Sequence, residues 1–225
     1  MSERIAVFDV LGPAYHYDPN GWNNGAVEPL IGILKREGYK GKNLAEEARD
    51  EEAYQRTGNA QIYIMPGFAE TVLYLREQGV RPVVVSAGTG WVLENILGLA
   101  AQDYEARTGI HVDPEELVEY GDLHSTIPIG DKKVPATWAE AVRQYGDPET
   151  VAVYEDTWKN LEAAVEGLDA DVGYHVVSTR SGLAVVKQGR IYRGHMEEAL
   201  GHLRDNLDDN DRPDNAAERA KQAEA

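Results

Sequence analysis

Two aspartates, a serine and a lysine pair in this chain have the types and order of a set that handles phosphate or a hard cation. Asp9 ends the apolar run Arg4-Ile5-Ala6-Val7-Phe8-Asp9 and is followed by Val10-Leu11-Gly12-Pro13. Ser86 closes Val83-Val84-Val85-Ser86, and Asp156 closes the run Thr150-Val151-Ala152-Val153-Tyr154-Glu155-Asp156. Lys132 and Lys133 stand ahead of the segment leading into that last run. An Asp carboxylate can serve as a nucleophile, and two of them with a backbone carbonyl and water suit Mg2+. A hydroxyl and an ammonium suit phosphate oxygens.

The elements that must position these groups follow from the patterning. Short apolar, β-branched runs stopped by Gly, Pro or a polar residue predict buried parallel strands. Residues 65–79 begin with a Pro66-Gly67 turn, place apolar Phe68, Val72, Leu73 and Leu75 at helical spacing, and stop at Gly79. Residues 91–99 and 135–145 also read as helices, the latter with Pro135 in its first turn, and another helix opens at Asn160. Further strands are predicted at 174–177 and 183–186. Strands alternating with helices give an α/β fold, a Rossmann-like parallel sheet covered by helices on both faces. Parallel strands end on one edge, which is where open α/β sheets hold their ligands, so Asp9, Ser86 and Asp156 are expected to converge.

Two segments break the rhythm. Residues 14–63 are polar with predicted helices at 27–37 and 44–55, and read as a small helical cap inserted after the first strand. The core is then 1–13 and 64–204. Residues 205–225 carry almost no apolar side chains and read as an acidic, disordered tail.

Composition narrows the partners. The 225 residues carry a formal net charge of -17 and no cysteine. Such a charge disfavours nucleic acid and anionic membrane surfaces, and the lack of cysteine excludes disulfides, thiolate metal sites and a Cys nucleophile. No apolar run is long enough for a bilayer, and the N-terminus lacks the pattern of a secretory signal, so a cytoplasmic protein is expected. The acidity fits a salt-rich, halophilic cytoplasm; an ordinary acidic protein is the alternative. Nothing in the sequence fixes the substrate or the oligomeric state.

Taken in order, the motifs resemble those of the haloacid dehalogenase-like (HAD) hydrolase superfamily. That family pairs an apolar strand ending in Asp-x-Asp-Gly-Thr, here Phe8-Asp9-Val10-Leu11-Gly12-Pro13, with a second strand ending in Ser or Thr, here Ser86. A Lys ahead of a helix and a strand ending Gly-Asp-x-x-x-Asp follow, the latter here as Glu155-Asp156-Thr157-Trp158-Lys159-Asn160. The resemblance covers the first strand and residues 65–203. The Gly12-Pro13 form is also similar to an archaeal branch associated with energy-converting hydrogenase.

The resemblance implies a Mg2+-dependent phosphohydrolase or phosphotransferase acting on a small phosphorylated substrate. Asp9 would form an aspartyl-phosphate. Asp9, the Leu11 carbonyl and Asp156 would hold Mg2+, with Asn160 on a metal-bound water. Ser86 and Lys133 would bind phosphoryl oxygens; Lys133 is preferred to Lys132 for its spacing from Asp156. Glu155 replaces the usual Gly and is expected to face solvent. Leu11 stands where the family's phosphatases carry a second Asp that moves protons, a function Leu cannot perform. Three outcomes stay open: a slow phosphatase that borrows another acid such as His16, a metal-independent dehalogenase, or a catalytically weak binding or regulatory protein.

Overall fold

The alternation of side chains along the first strand explains the layering. In β1 (Arg4–Phe8) Ile5 and Val7 enter one apolar core while Ala6 and Phe8 enter another. Both faces of a strand can be apolar only if both are covered, which is the condition of a parallel sheet between helices. The protein, here a computed structural model, is described over residues 3–10, 12–17, 62–88, 90–126, 129–177, 184–187 and 190–210. Elements are numbered over these residues.

After β1 come β2 (Tyr15–Tyr17), β3 (Ile62–Ile64), α1 (Phe68–Glu77), β4 (Arg81–Ser86), α2 (Gly90–Thr108), the short α3 (Pro114–Leu117) and β5 (Leu123–Ser125). The second half runs α4 (Pro135–Val142), β6 (Glu149–Glu155), α5 (Trp158–Gly167), β7 (Gly173–Val176), β8 (Ala184–Lys187), β9 (Ile191–Gly194) and α6 (Met196–Asn210). The main sheet has the order β5-β4-β1-β6-β7-β9-β8. Six strands are parallel, and β8 pairs antiparallel on the edge. The α/β fold with a parallel sheet read from the sequence is therefore the fold found.

The chain leaves β1 for β4 and β5 on one side and returns to β6 on the other. This reversal puts the crevice at the end of β1, beside Asp9. Leu93, Ile96, Leu97 and Leu75 from α1 and α2, with Leu200 and Leu203 from α6, fill the core on the Phe8 face. Trp138, Ala141 and Val142 of α4 and Leu161 and Ala164 of α5 fill the Val7 face.

Several expectations differ from the structure. Helix α2 runs to Thr108 and not to Leu99, because the buried stripe continues through Ala100 and Ala101 until Gly109 at φ 73. The sequence pattern does not predict the short edge strand β5, β9 or helix α6. Residues 205–210 belong to α6, with Leu207 buried one helical turn after Leu203 and two after Leu200, where the sequence suggests a tail from 205. At the ends of the expected cap, β2 and β3 pair antiparallel, Tyr15 opposite Ile64 and Tyr17 opposite Ile62. The Met65 N–H donates to the Ala14 carbonyl at 2.9 Å, so the chain departs and returns at one point next to Asp9. The predicted cap helices lie outside the described residues, as do Leu11 and residues 211–225. No helix among the described residues is long and apolar enough to cross a membrane.

Candidate active site

Asp9 is the first residue past β1. Its N–H still donates to the Tyr154 carbonyl of β6 at 2.8 Å, so the backbone is held in the sheet up to the carboxylate. The side chain is buried. Oδ1 accepts the Val10 N–H at 2.8 Å, Oδ2 lies 2.7 Å from Lys132 Nζ, and the Ser86 hydroxyl donates to the same carboxylate. Ser86 is buried at the end of β4, the register neighbour of β1.

Lys132, not Lys133, reaches the site. Its buried ammonium bridges Asp9 and Glu155, with Glu155 Oε2 at 2.5 Å. Lys133 is exposed, and its N–H donates to Asp131 Oδ1 in the turn ahead of α4. The turn alternates the two side chains, and only the first faces the sheet edge. Below it, the buried Trp138 donates its indole N–H to the Lys132 carbonyl at 2.6 Å. Spacing from Asp156 alone cannot resolve two adjacent lysines. The useful signal was Lys132-x-x-Pro135-x-x-Trp138, which fixes the first turn of α4 and the side that packs.

Glu155 is also a correction: it is fully buried. It is still inside β6, opposite His175 of β7, and a strand of a parallel sheet packed on both sides has no solvent face. Oε1 accepts the Thr157 N–H at 3.0 Å and Asn160 Nδ2 at 3.4 Å. Asn160 thus points at Glu155. Asp156 is mostly buried, takes the Thr157 hydroxyl at 3.1 Å, and its carbonyl lies 2.7 Å from His175 Nε2. Gly12 packs on Asp156 so tightly that a Cβ there would fall 2.2 Å from Asp156 Cβ; with φ +88, only glycine fits.

Carboxylate oxygens of Asp9, Glu155 and Asp156 lie within 4.8 Å of one another. Burial, then the Glu155 charge, pushes Asp9 up to about 6 despite Lys132. Burial likewise raises Glu155, and burial plus the Asp9 charge raises Asp156. Burial alone would lower Lys132, but Asp9 and Glu155 hold its ammonium well above the usual lysine range. Three acids facing one ammonium leave an excess of two negative charges when all are ionised, and this repulsion adds to burial in raising them. An all-oxygen donor set with this charge fits a hard divalent cation such as Mg2+.

Among solved structures, the chain is similar to CbbY from Rhodobacter sphaeroides in complex with phosphate, at 18% identity over 77% of this chain and 85% of that one, with a TM-score of 0.50. A variant of CbbY in complex with xylulose-(1,5)bisphosphate matches at 19% identity over the same shares, 77% and 85%, with a TM-score of 0.50. A predicted phosphoglycolate phosphatase from Haemophilus somnus matches at 14% identity over 90% of this chain and 98% of that one, with a TM-score of 0.50. No protein-family profile matches the sequence, and no curated protein does. With the strand order, these likenesses identify the fold as HAD-like, as the order of motifs implied.

Proposed function

We propose that this protein is a Mg2+-dependent phosphohydrolase or phosphotransferase that works through Asp9 on a small phosphorylated substrate. The carrying observation is the convergence of Asp9, Glu155 and Asp156 around the ammonium of Lys132 at the switch point of the sheet. Complexes of the structurally similar CbbY with phosphate and with a sugar bisphosphate support the substrate class.

In this mechanism an Asp9 oxygen attacks phosphorus, the bond to the leaving oxygen breaks, and an acyl phosphate forms. Water then attacks phosphorus, and phosphate departs as Asp9 is regenerated. Lys132 holds Asp9 in line and offers its charge to the phosphoryl oxygens, and Ser86 supplies a hydroxyl beside them. Asp9, Glu155 and Asp156 would hold Mg2+, which offsets repulsion between the carboxylate and the anionic substrate. Because Leu11 brings no proton to the leaving group, substrates with good leaving groups are favoured.

A second function, binding or regulation with weak catalysis, is favoured by Leu11 alone. The three-acid cluster supports metal-dependent chemistry over halide release. Hydrolysis of an aryl phosphate with Mg2+ and with chelator, for the native protein and Asp9→Asn, separates them. Mg2+-dependent turnover lost in the variant supports phosphoryl transfer; no turnover on a broad phosphate panel supports binding; metal-free halide release supports dehalogenation.

A further inference from the structure

We infer that Trp138 is a positioning residue for Lys132, holding both its backbone and its ammonium so that the lysine faces Asp9. The inference rests on the proposed role of Lys132 but stands on separate contacts. Trp138 is fully buried on α4 and meets Lys132 twice. Its indole N–H donates to the Lys132 carbonyl at 2.6 Å, and Lys132 Nζ lies 4.9 Å from the centroid of its ring. A buried indole needs a hydrogen-bond acceptor, and this one takes the main chain of the residue whose side chain lies over its ring. The ammonium lies against three groups: Asp9 Oδ2, Glu155 Oε2 and the π face of Trp138.

Each partner does something the others do not. The carboxylates draw the ammonium toward the sheet edge. The ring closes the apolar side, where water would otherwise loosen the bridge. The carbonyl bond fixes which of two adjacent lysines turns inward, since shifting the turn by one residue would bring Lys133 in and leave the indole N–H unpaired. Helix α4 is anchored in turn: a Cβ on Gly167 of α5 would fall 2.2 Å from the Pro135 carbonyl, so the two helices meet backbone to backbone at this end. Trp138 touches no reacting atom, and its effect passes through Lys132.

The test uses the whole chain and an amine-acylating reagent, with labelling of Lys132 and Lys133 followed by mass spectrometry. Exposed Lys133 is the internal reference. In the native protein Lys132 is expected to label at least about ten-fold more slowly than Lys133. Trp138→Phe, which keeps a ring but loses the N–H, is expected to raise the Lys132 rate several-fold, and Trp138→Leu to raise it further. Installing benzothienylalanine at position 138 removes the N–H while keeping the shape, and serves if the other variants fail to fold. Val142→Ala, a core loss on the same helix away from Lys132, is the control. Unchanged Lys132 labelling in the position-138 variants, or an equal rise in Val142→Ala, overturns the inference. If the protein hydrolyses aryl phosphates, Trp138→Phe is also expected to lower kcat with little change in KM; an unchanged kcat overturns the inference. Labelling reads the contact without catalysis, so a failure of the phosphatase assignment is distinguishable from a failure of this one.

Discussion

The rings of Phe8 and Tyr154 lie 4.4 Å apart and 2° from parallel, and each residue is followed directly by an acid of the site, Asp9 and Glu155. The two are register partners on β1 and β6. The stack continues to Tyr174 on β7 at 4.9 Å, and Tyr174 meets Tyr192 on β9. Aromatic side chains across four neighbouring strands thus form the floor beneath the carboxylates. A stiff floor matters because three acids held within 4.8 Å repel one another without a cation.

Within that floor the Tyr154 hydroxyl is buried with no hydrogen-bond partner among the described residues. An unsatisfied buried hydroxyl costs about 1–3 kcal/mol. Tyr154→Phe keeps the stack and removes the cost. It is expected to raise stability by roughly 1 kcal/mol, read as a higher Tm in thermal unfolding, and to leave Mg2+-dependent turnover unchanged. A fall in Tm would show that the hydroxyl is engaged.

The two lysines give opposite expectations. Lys132→Ala leaves Asp9 and Glu155 without their counter-charge and is expected to cost about 3 kcal/mol in denaturant unfolding. It should also lower turnover by at least about a hundred-fold, the scale for losing one group that stabilises developing charge. Lys133→Ala removes an exposed charge and should stay within about 0.5 kcal/mol, with turnover unaffected.

Stability should depend on pH and metal together. Asp9 in the folded, metal-free protein titrates near 6, above its ordinary value. The folded state therefore holds this proton more tightly than the unfolded chain does, and the contribution of Asp9 to stability falls as pH rises from about 4 to about 6. Glu155 and Asp156 are shifted in the same direction. A divalent cation held by the three acids would replace those protons. Mg2+ is thus expected to raise Tm more at pH 8 than at pH 5, and an equal effect at both would count against the cluster as its site.

Gly12 sits in van der Waals overlap range of Asp156 for any larger residue. Gly12→Ala must either move Asp156 or abandon the positive φ, a strain of about 1–3 kcal/mol. The expected result is weaker Mg2+ binding by calorimetry, by about ten-fold, with the sheet preserved by circular dichroism. Unchanged Mg2+ affinity would show that Asp156 is not a ligand.

Much of this was legible because a parallel strand hides both faces. The runs ending at Asp9, Ser86 and Tyr154 announce themselves as buried, and their common direction puts their ends on one edge. What escaped prediction was set by packing. Whether Lys132 or Lys133 turns inward depends on one indole N–H, and whether Glu155 is buried depends on whether β6 stops at Tyr154 or one residue later. Helix α6 was hidden because its apolar stripe of Met196, Ala199, Leu200, Leu203 and Leu207 is diluted by acids, so its average polarity resembles that of a tail. The absence of Asp at position 11 is plain in the sequence, and Leu11 itself lies outside the described residues.

The central claim is that phosphorus is transferred to Asp9, and trapping tests it most directly. The native protein, mixed with an aryl phosphate and Mg2+ and quenched in acid, is expected to carry one hydroxylamine-sensitive phosphoryl group on the peptide containing Asp9. That adduct should vanish in Asp9→Asn and with chelator. A phosphoryl group on any other residue, or burst release of the aryl alcohol with Asp9 unmodified, would contradict the claim.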